Sequence, residues 1–202
     1  MAASPQPKPA WMRALRSAGI VLLVGAGAYY AWSSSIVNPS RLRGEGVAIH
    51  SSSGELRVLG TEGKDVHVTI QRVGEYDAAR ARIRIDRSRN PIQIQIDDIP
   101  QGAIALVEVP HAVSLAVSMT AGRIEISNID GDKLCLLRSG EMVIDVGDPG
   151  GYRSARGFVL SGEVDAPAFH AYKGGLWRMV KWNGPGTAVV DAHVSAGRLE
   201  LR

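Results

Sequence analysis

One short pattern returns five times along this 202-residue chain and restricts its fold more than any other feature. A small residue and a glycine are followed by two apolar residues at alternate positions. The copies are Ser53-Gly54-Glu55-Leu56-Arg57-Val58, Ala121-Gly122-Arg123-Ile124-Glu125-Ile126, Ser139-Gly140-Glu141-Met142-Val143-Ile144, Ser161-Gly162-Glu163-Val164-Asp165-Ala166 and Ala196-Gly197-Arg198-Leu199-Glu200-Leu201. Gly122, Gly140 and Gly162 are spaced by 18 and 22 residues, room for two short strands and their corners in each interval. Periods near twenty residues mark stacked-repeat architectures, in which each unit buries its apolar row against its neighbours. A glycine at a fixed place supplies a positive φ at a bend or lets one rung approach the next. The alternative is an antiparallel sandwich with recurrent turn chemistry.

Between the copies the periodicity is two. Val66, Val68 and Ile70 share one face, and so do Val113, Leu115, Val117 and Met119. Ile83 and Ile85, then Ile92, Ile94 and Ile96, flank Arg89-Asn90-Pro91, which reads as a hairpin corner. Six prolines from Pro91 to Pro185 fall between these runs, where a missing amide donor does least harm. Residues 75–81 alone suggest a helix, of two turns at most. The body, residues 41–202, is therefore expected to be all-β.

Within that body, Leu106-Val107-Glu108-Val109-Pro110, then Ser114-Leu115-Ala116-Val117-Ser118, then the Ala121-Gly122 copy resemble the bacterial putative-adhesin repeats, also called head-GIN or toast-rack domains. The resemblance runs over about residues 46–202 and is best from Ala105 to Ala166. It implies a right-handed β-solenoid-like stack, attached in many members behind one membrane helix, with no agreed catalytic residues. This chain departs from the pattern at residues 147–154 and 173–185.

Ahead of the body, residues 17–40 contain no Lys, Arg, Asp, Glu or His, and Arg16 and Arg41 bracket them. As a helix these 24 residues would extend about 36 Å, enough for a hydrocarbon core of ~30 Å. Tyr29, Tyr30 and Trp32 at one end and Trp11 at the other fit the headgroup level, and Arg13 and Arg16 add basic flank. The expectation is a single transmembrane helix over residues 17–40, behind a Pro-rich disordered tail over residues 1–16. More cations precede the span than follow it, which points to a cytoplasmic N-terminus and a body on the periplasmic or extracytoplasmic side. A cleaved signal peptide, with Ala26-Gly27-Ala28 as its small-residue site, is the rival. Gly27, Ala31 and Ser35 form a small-residue stripe suited to helix packing, although such residues are common in membrane helices.

The formal charge of +3 belongs to the flanks. Lys8, Arg13, Arg16, Arg41 and Arg43 lie in the first 43 residues without a carboxylate, leaving 18 basic against 20 acidic residues beyond, a net of about −2. Such a body has no broad footprint for nucleic acid. The five histidines (His50, His67, His111, His170, His193) show no metal-ligand spacing, and His67 and His193 read as exposed strand-face residues. Asp97-Asp98 reads as a turn, Gly147 to Gly151 lacks the features of a phosphate loop, and Ser51 to Ser53 lack a nucleophile-elbow context. Cys135, the lone cysteine, reads as buried. No catalytic residue, cofactor or metal is expected.

Two features suggest contact. Arg80, Arg82, Arg84, Arg87 and Arg89 crowd ten residues, with Arg82 and Arg84 on one face, suited to an acidic partner or anionic headgroups. The segment from Tyr172 to Trp182 carries Trp177, Met179 and Trp182, residue types enriched where partners bind tightly. As a strand it would put Leu176, Val180 and Trp182 on one side and Trp177 and Met179 on the other. The expected function is a non-catalytic, single-pass binding or scaffold module, an accessory subunit on another membrane or envelope protein. The alternatives are a self-assembling, bactofilin-like polymer growing from the C-terminal strand, which makes a homo-oligomer possible, and an enzyme with a groove site.

Overall fold

A computed structural model of the protein describes residues 38–72 and 81–202. Its regular structure is strand throughout, apart from three single 3-10 turns. The ten strands are β1 (Gly46–Thr61), β2 (His67–Arg72), β3 (Arg82–Asp86), β4 (Ile92–Asp97), β5 (Ala103–Pro110), β6 (Ser114–Ser127), β7 (Lys133–Ile144), β8 (Tyr152–Ala166), β9 (Ala171–Asn183) and β10 (Ala188–Leu201). They form one sheet in the order β2-β5-β1-β6-β7-β10-β8-β9, with β4 also on β1 and β3 on β4.

The long strands are not flat. In β6 the buried row Leu115, Val117, Met119 resumes at Ile124 and Ile126, on residues of opposite parity. An uninterrupted strand would aim the second set away from the first. Both sets nevertheless belong to one core cluster. The switch occurs at Gly122, φ +128°, and the β6–β7 pairing skips Thr120, just ahead of it. The same bend falls at Gly54, Gly140, Gly162 and Gly197 (φ +116° to +135°), in the middle of the five repeat copies. Each long strand thus has two limbs wrapped on a common interior. The bend also explains how parallel β6 and β7 can be joined by residues 128–132 alone, where parallel neighbours ordinarily need a dozen residues or more.

The five glycines pair in register as a column, Gly54–Gly122–Gly140–Gly197–Gly162. A Cβ on Gly140 would lie 1.9 Å from the Gly122 carbonyl oxygen, and one on Gly197 would lie 1.8 Å from that of Gly140. Two residues further on, Leu56, Ile124, Met142, Leu199 and Val164 make an apolar column with 0% exposure. Burying each is worth about 1.5–3 kcal/mol.

Antiparallel strands occupy both ends. β9 pairs with β8 at one end; at the other, β3 and β2 flank the short β4 and β5, which share β1 as one interrupted rung. β10 does not extend the stack. It enters between β7 and β8, parallel to both. The C-terminal strand is therefore interior, so it is not the open end from which the alternative, a polymer, would grow: neither side of β10 is an edge. The hairpin at residues 89–91 is formed by β3 and β4, around a cis Asn90–Pro91 bond. Asn38 caps a 3-10 turn over Pro39–Arg41, so the last residues of the expected span have a different local structure from a membrane helix. The rest of that span, the tail, the interface residues Trp11, Arg13, Arg16, Tyr29, Tyr30 and Trp32, the stripe Gly27, Ala31 and Ser35, and the expected helical turns of residues 75–80 lie outside the described residues. No helix among the described residues is long and apolar enough to cross a membrane.

Candidate functional site

β9 is the outermost strand at its end of the sheet, and its composition explains why it stays there. Lys173-Gly174-Gly175 offers little side chain to bury, while Gly175 (φ +114°) and Trp177 (φ +54°) bend the strand where it meets the glycine column. Beyond the bend alternation resumes: Val180 is buried, and the Trp182 ring sits 5.2 Å from that of Phe169. Before and within it, Tyr172, Leu176 and Trp177 are 64–65% exposed. Among the described residues they are three of the four exposed large apolar side chains, so the apolar surface is concentrated on one edge strand. Leu176 departs from expectation. The bend interrupts the period of two, so it does not share the inward face of Val180 and Trp182.

The patch is held in place. Phe158 of β8 meets Trp177 edge-on, ring centroids 6.0 Å apart. Tyr172 donates its hydroxyl hydrogen to Glu163, 3.2 Å away, which raises the phenol above its ordinary pKa. Met179 is half-buried opposite Phe158. Of the expected contact residues, then, Tyr172 and Trp177 are both exposed on β9, while Met179 and Trp182 serve mainly to seat the strand. A shallow trough over Gly140, Gly162 and Gly197 adjoins Tyr172.

Arg82 and Arg84 lie at the other end of the strand order, on β3, and do not join this patch. Arg82 is paired with Asp98 at 2.5 Å, and Arg89 with Asp86 at 3.0 Å. Arg87 donates to the Val66 carbonyl at 3.0 Å. The arginine row is thus largely committed to local partners, leaving Arg84 exposed with no ion pair among the described residues. Arg80 lies outside them.

Two buried polar groups were not legible as such. His193, expected on an exposed strand face, is fully buried. It lies on the interior strand β10, its ring 5.2 Å from Phe158 and its Nε2 3.3 Å from Asp191. Burial pushes its imidazole below the ordinary value against the pull of Asp191. Lys133, at the mouth of β7, has no exposed surface. Its ammonium donates to the Ile129 carbonyl and, at 2.5 Å, to the Tyr152 hydroxyl. Desolvation brings it down to about 8. Both replace an apolar residue at a position where the strand pattern predicts only a face, not a partner.

Cys135 is buried in the core, and its thiol is pushed up to about 12 by desolvation, which leaves no nucleophilic thiolate at neutral pH. Asp98, at φ +57°, is the turn acid expected from Asp97-Asp98. Pro149–Gly151 is a 3-10 turn in which the Asp148 carboxylate accepts from the Gly150 amide at 2.8 Å. Among the described residues no group of three His, Cys, Asp or Glu is placed to hold a metal ion.

No family model matches the chain, and no curated protein does. The fold is similar to the crystal structure of a putative cell adhesion protein from Clostridium sporogenes, with a TM-score of 0.52 and 10% identity, over 81% of this chain and 94% of that one. That likeness is one of all-β fold.

Proposed function

We propose that the chain is a non-catalytic binding module: a solenoid-like β body behind a single N-terminal membrane helix, held extracytoplasmically and docked on another envelope protein through the β9 edge. The observation that carries the reading is the gathering of Tyr172, Leu176 and Trp177, each about two-thirds exposed, on one edge strand. Aromatic side chains on a rigid support lose little entropy on binding and dominate contact energetics. An edge strand adds backbone groups with which a partner strand can pair. The adhesin-like neighbour is consistent with a contact role.

The test places a photo-crosslinking residue at position 176 of the full chain in intact membranes, with position 84 on β3 as control. One discrete adduct at 176, weakened at least about fivefold by Trp177→Ala, a loss typical of an interface anchor, is the expected result. Gentle solubilisation as a lone monomer, with Trp177→Ala changing nothing, overturns the reading. An adduct of exactly twice the chain mass would instead assign the edge to self-pairing.

A further inference from the structure

The first residues of β7, β10 and β8 and the last of β9 border a groove of about 520 Å³, to which β9 contributes residues 181–183, beyond the exposed Tyr172, Leu176 and Trp177. Arg41, Arg43, Arg153 and Lys181 stand exposed around it, with Arg156 half-buried on its wall. Two carboxylates share the lining, Asp132 and Asp191, and both are already committed. Asp132 is 8% exposed and accepts from the Val189 amide at 2.8 Å. Asp191 is 3% exposed and takes the Arg156 guanidinium at 2.8 Å. Neither reaches the rim. Arg43, Arg153 and Lys181 have no ion pair among the described residues. Residues 41–202, whose charges sum to zero, therefore have a locally cationic groove.

Its position matters as much as its sign. Arg41 and Arg43 follow directly on the stretch ending at residue 40, and that connection is pinned to the body. The Ser114 hydroxyl donates to the Arg43 carbonyl at 2.9 Å, and Leu42 packs on Ala48, Ala116 and Leu134. The cations thus surround the point where the chain enters the body, where an anchored protein meets its bilayer. Lipid phosphodiesters offer the oxygen geometry that guanidinium groups bind in pairs.

We propose that this groove seats anionic phospholipid headgroups, so that the body rests on the membrane surface through Arg41, Arg43, Arg153 and Lys181. The proposal relies on the membrane-anchored reading. It is tested on the full chain in nanodiscs of phosphatidylcholine with and without phosphatidylglycerol, by hydrogen exchange of peptides covering residues 152–156 and 181–191, with residues 92–97 as control. The expected result is slower exchange in the first two regions only, on adding phosphatidylglycerol, lost at high salt as the screening length shortens to ~3 Å. Each basic residue near an anionic surface contributes roughly a fivefold factor, so Arg153→Gln with Lys181→Gln should abolish the protection. Arg43→Gln with Lys181→Gln is the second variant, should the first fail to fold.

Equal exchange in both lipids overturns the proposal. So does equal protection by inorganic phosphate in phosphatidylcholine discs, which would make the groove a free-anion site. Resistance of the chain to alkaline carbonate extraction scores the anchor separately. A retained chain without the lipid effect removes the groove alone, whereas an extracted chain removes the anchored reading and this one with it.

Discussion

Lys133 shows how one residue can set the pH response of the whole body. Unfolded, its ammonium keeps its proton to about 10.5; folded, desolvation releases it near about 8. Between those values the unfolded chain binds more protons, so stability rises with pH across that window. Below it, the buried charge costs roughly 3 kcal/mol relative to an unshifted lysine. Cys135 and Tyr152 act in the opposite sense above about pH 9 and 10, because burial raises both and the unfolded chain loses those protons first. Urea unfolding of wild type and Lys133→Met from pH 7.5 to 9 isolates the lysine. The wild-type rise should be missing from the variant; parallel curves would mean that the ammonium is solvated. At the same scale, Gly140→Ala combines a φ of +129° with a 1.9 Å clash on backbone, while a Cβ on Gly151 meets nothing within 4 Å. The first should cost more than about 3 kcal/mol and the second less than about 0.5 in the same assay. A mild Gly140→Ala would show that the glycine column can spread.

At the scale of the strand, the residue after each glycine carries information that the repeat pattern treats as free. Read in stack order, these residues are Glu55, Arg123, Glu141, Arg198 and Glu163, strictly alternating in sign. Arg123 reaches Glu141 at 2.7 Å, and Arg198 reaches Glu163 at 3.2 Å. In chain order Glu141 and Glu163 would be neighbours, and like charges directly opposite each other are unfavourable. The insertion of β10, with its Arg198, between them removes that conflict. Each pair is half-exposed and worth about 0.2–1 kcal/mol, so the ladder specifies order more than it adds stability. Arg198→Glu should lower stability by about 1–2 kcal/mol, less at high salt, and adding Glu163→Arg, whose other neighbour is the uncharged Gly174, should recover part of it. Urea midpoints at two ionic strengths decide this. No recovery would mean that packing alone orders the strands.

For the molecule as a whole, what was legible followed from period and punctuation. The strands, the glycine corners, the residue 89–91 hairpin and the buried row from Val113 to Met119 all express local alternation, which a single chain displays openly. Three things did not show. The direction of Leu176 depends on a bend in β9 where it meets the glycine column, the burial of His193 on which strands flank β10, and the place of β10 on the pairings of Gly197 with Gly140 and Gly162. The last has a consequence that separates this fold from a stack built in chain order. There, removing the final strand deletes one terminal interface and leaves the rest standing. Here β10 has β7 on one side and β8 on the other, and supplies Val190, Ala192, Val194, Leu199 and Leu201 to the core. Without it β8 could reach β7 only by moving one rung, about 4.8 Å, and placing Glu163 on Glu141. A chain ending at residue 187 should therefore lose cooperative unfolding and become sensitive to protease from β7 through β9, while a chain lacking residues 171–187, with β8 joined to β10 by a short linker, should still unfold cooperatively. Melting curves and limited proteolysis of the two chains would settle the matter. A sharp transition in the chain without β10 would mean that β8 stacks directly on β7 and that the observed order is not required for folding.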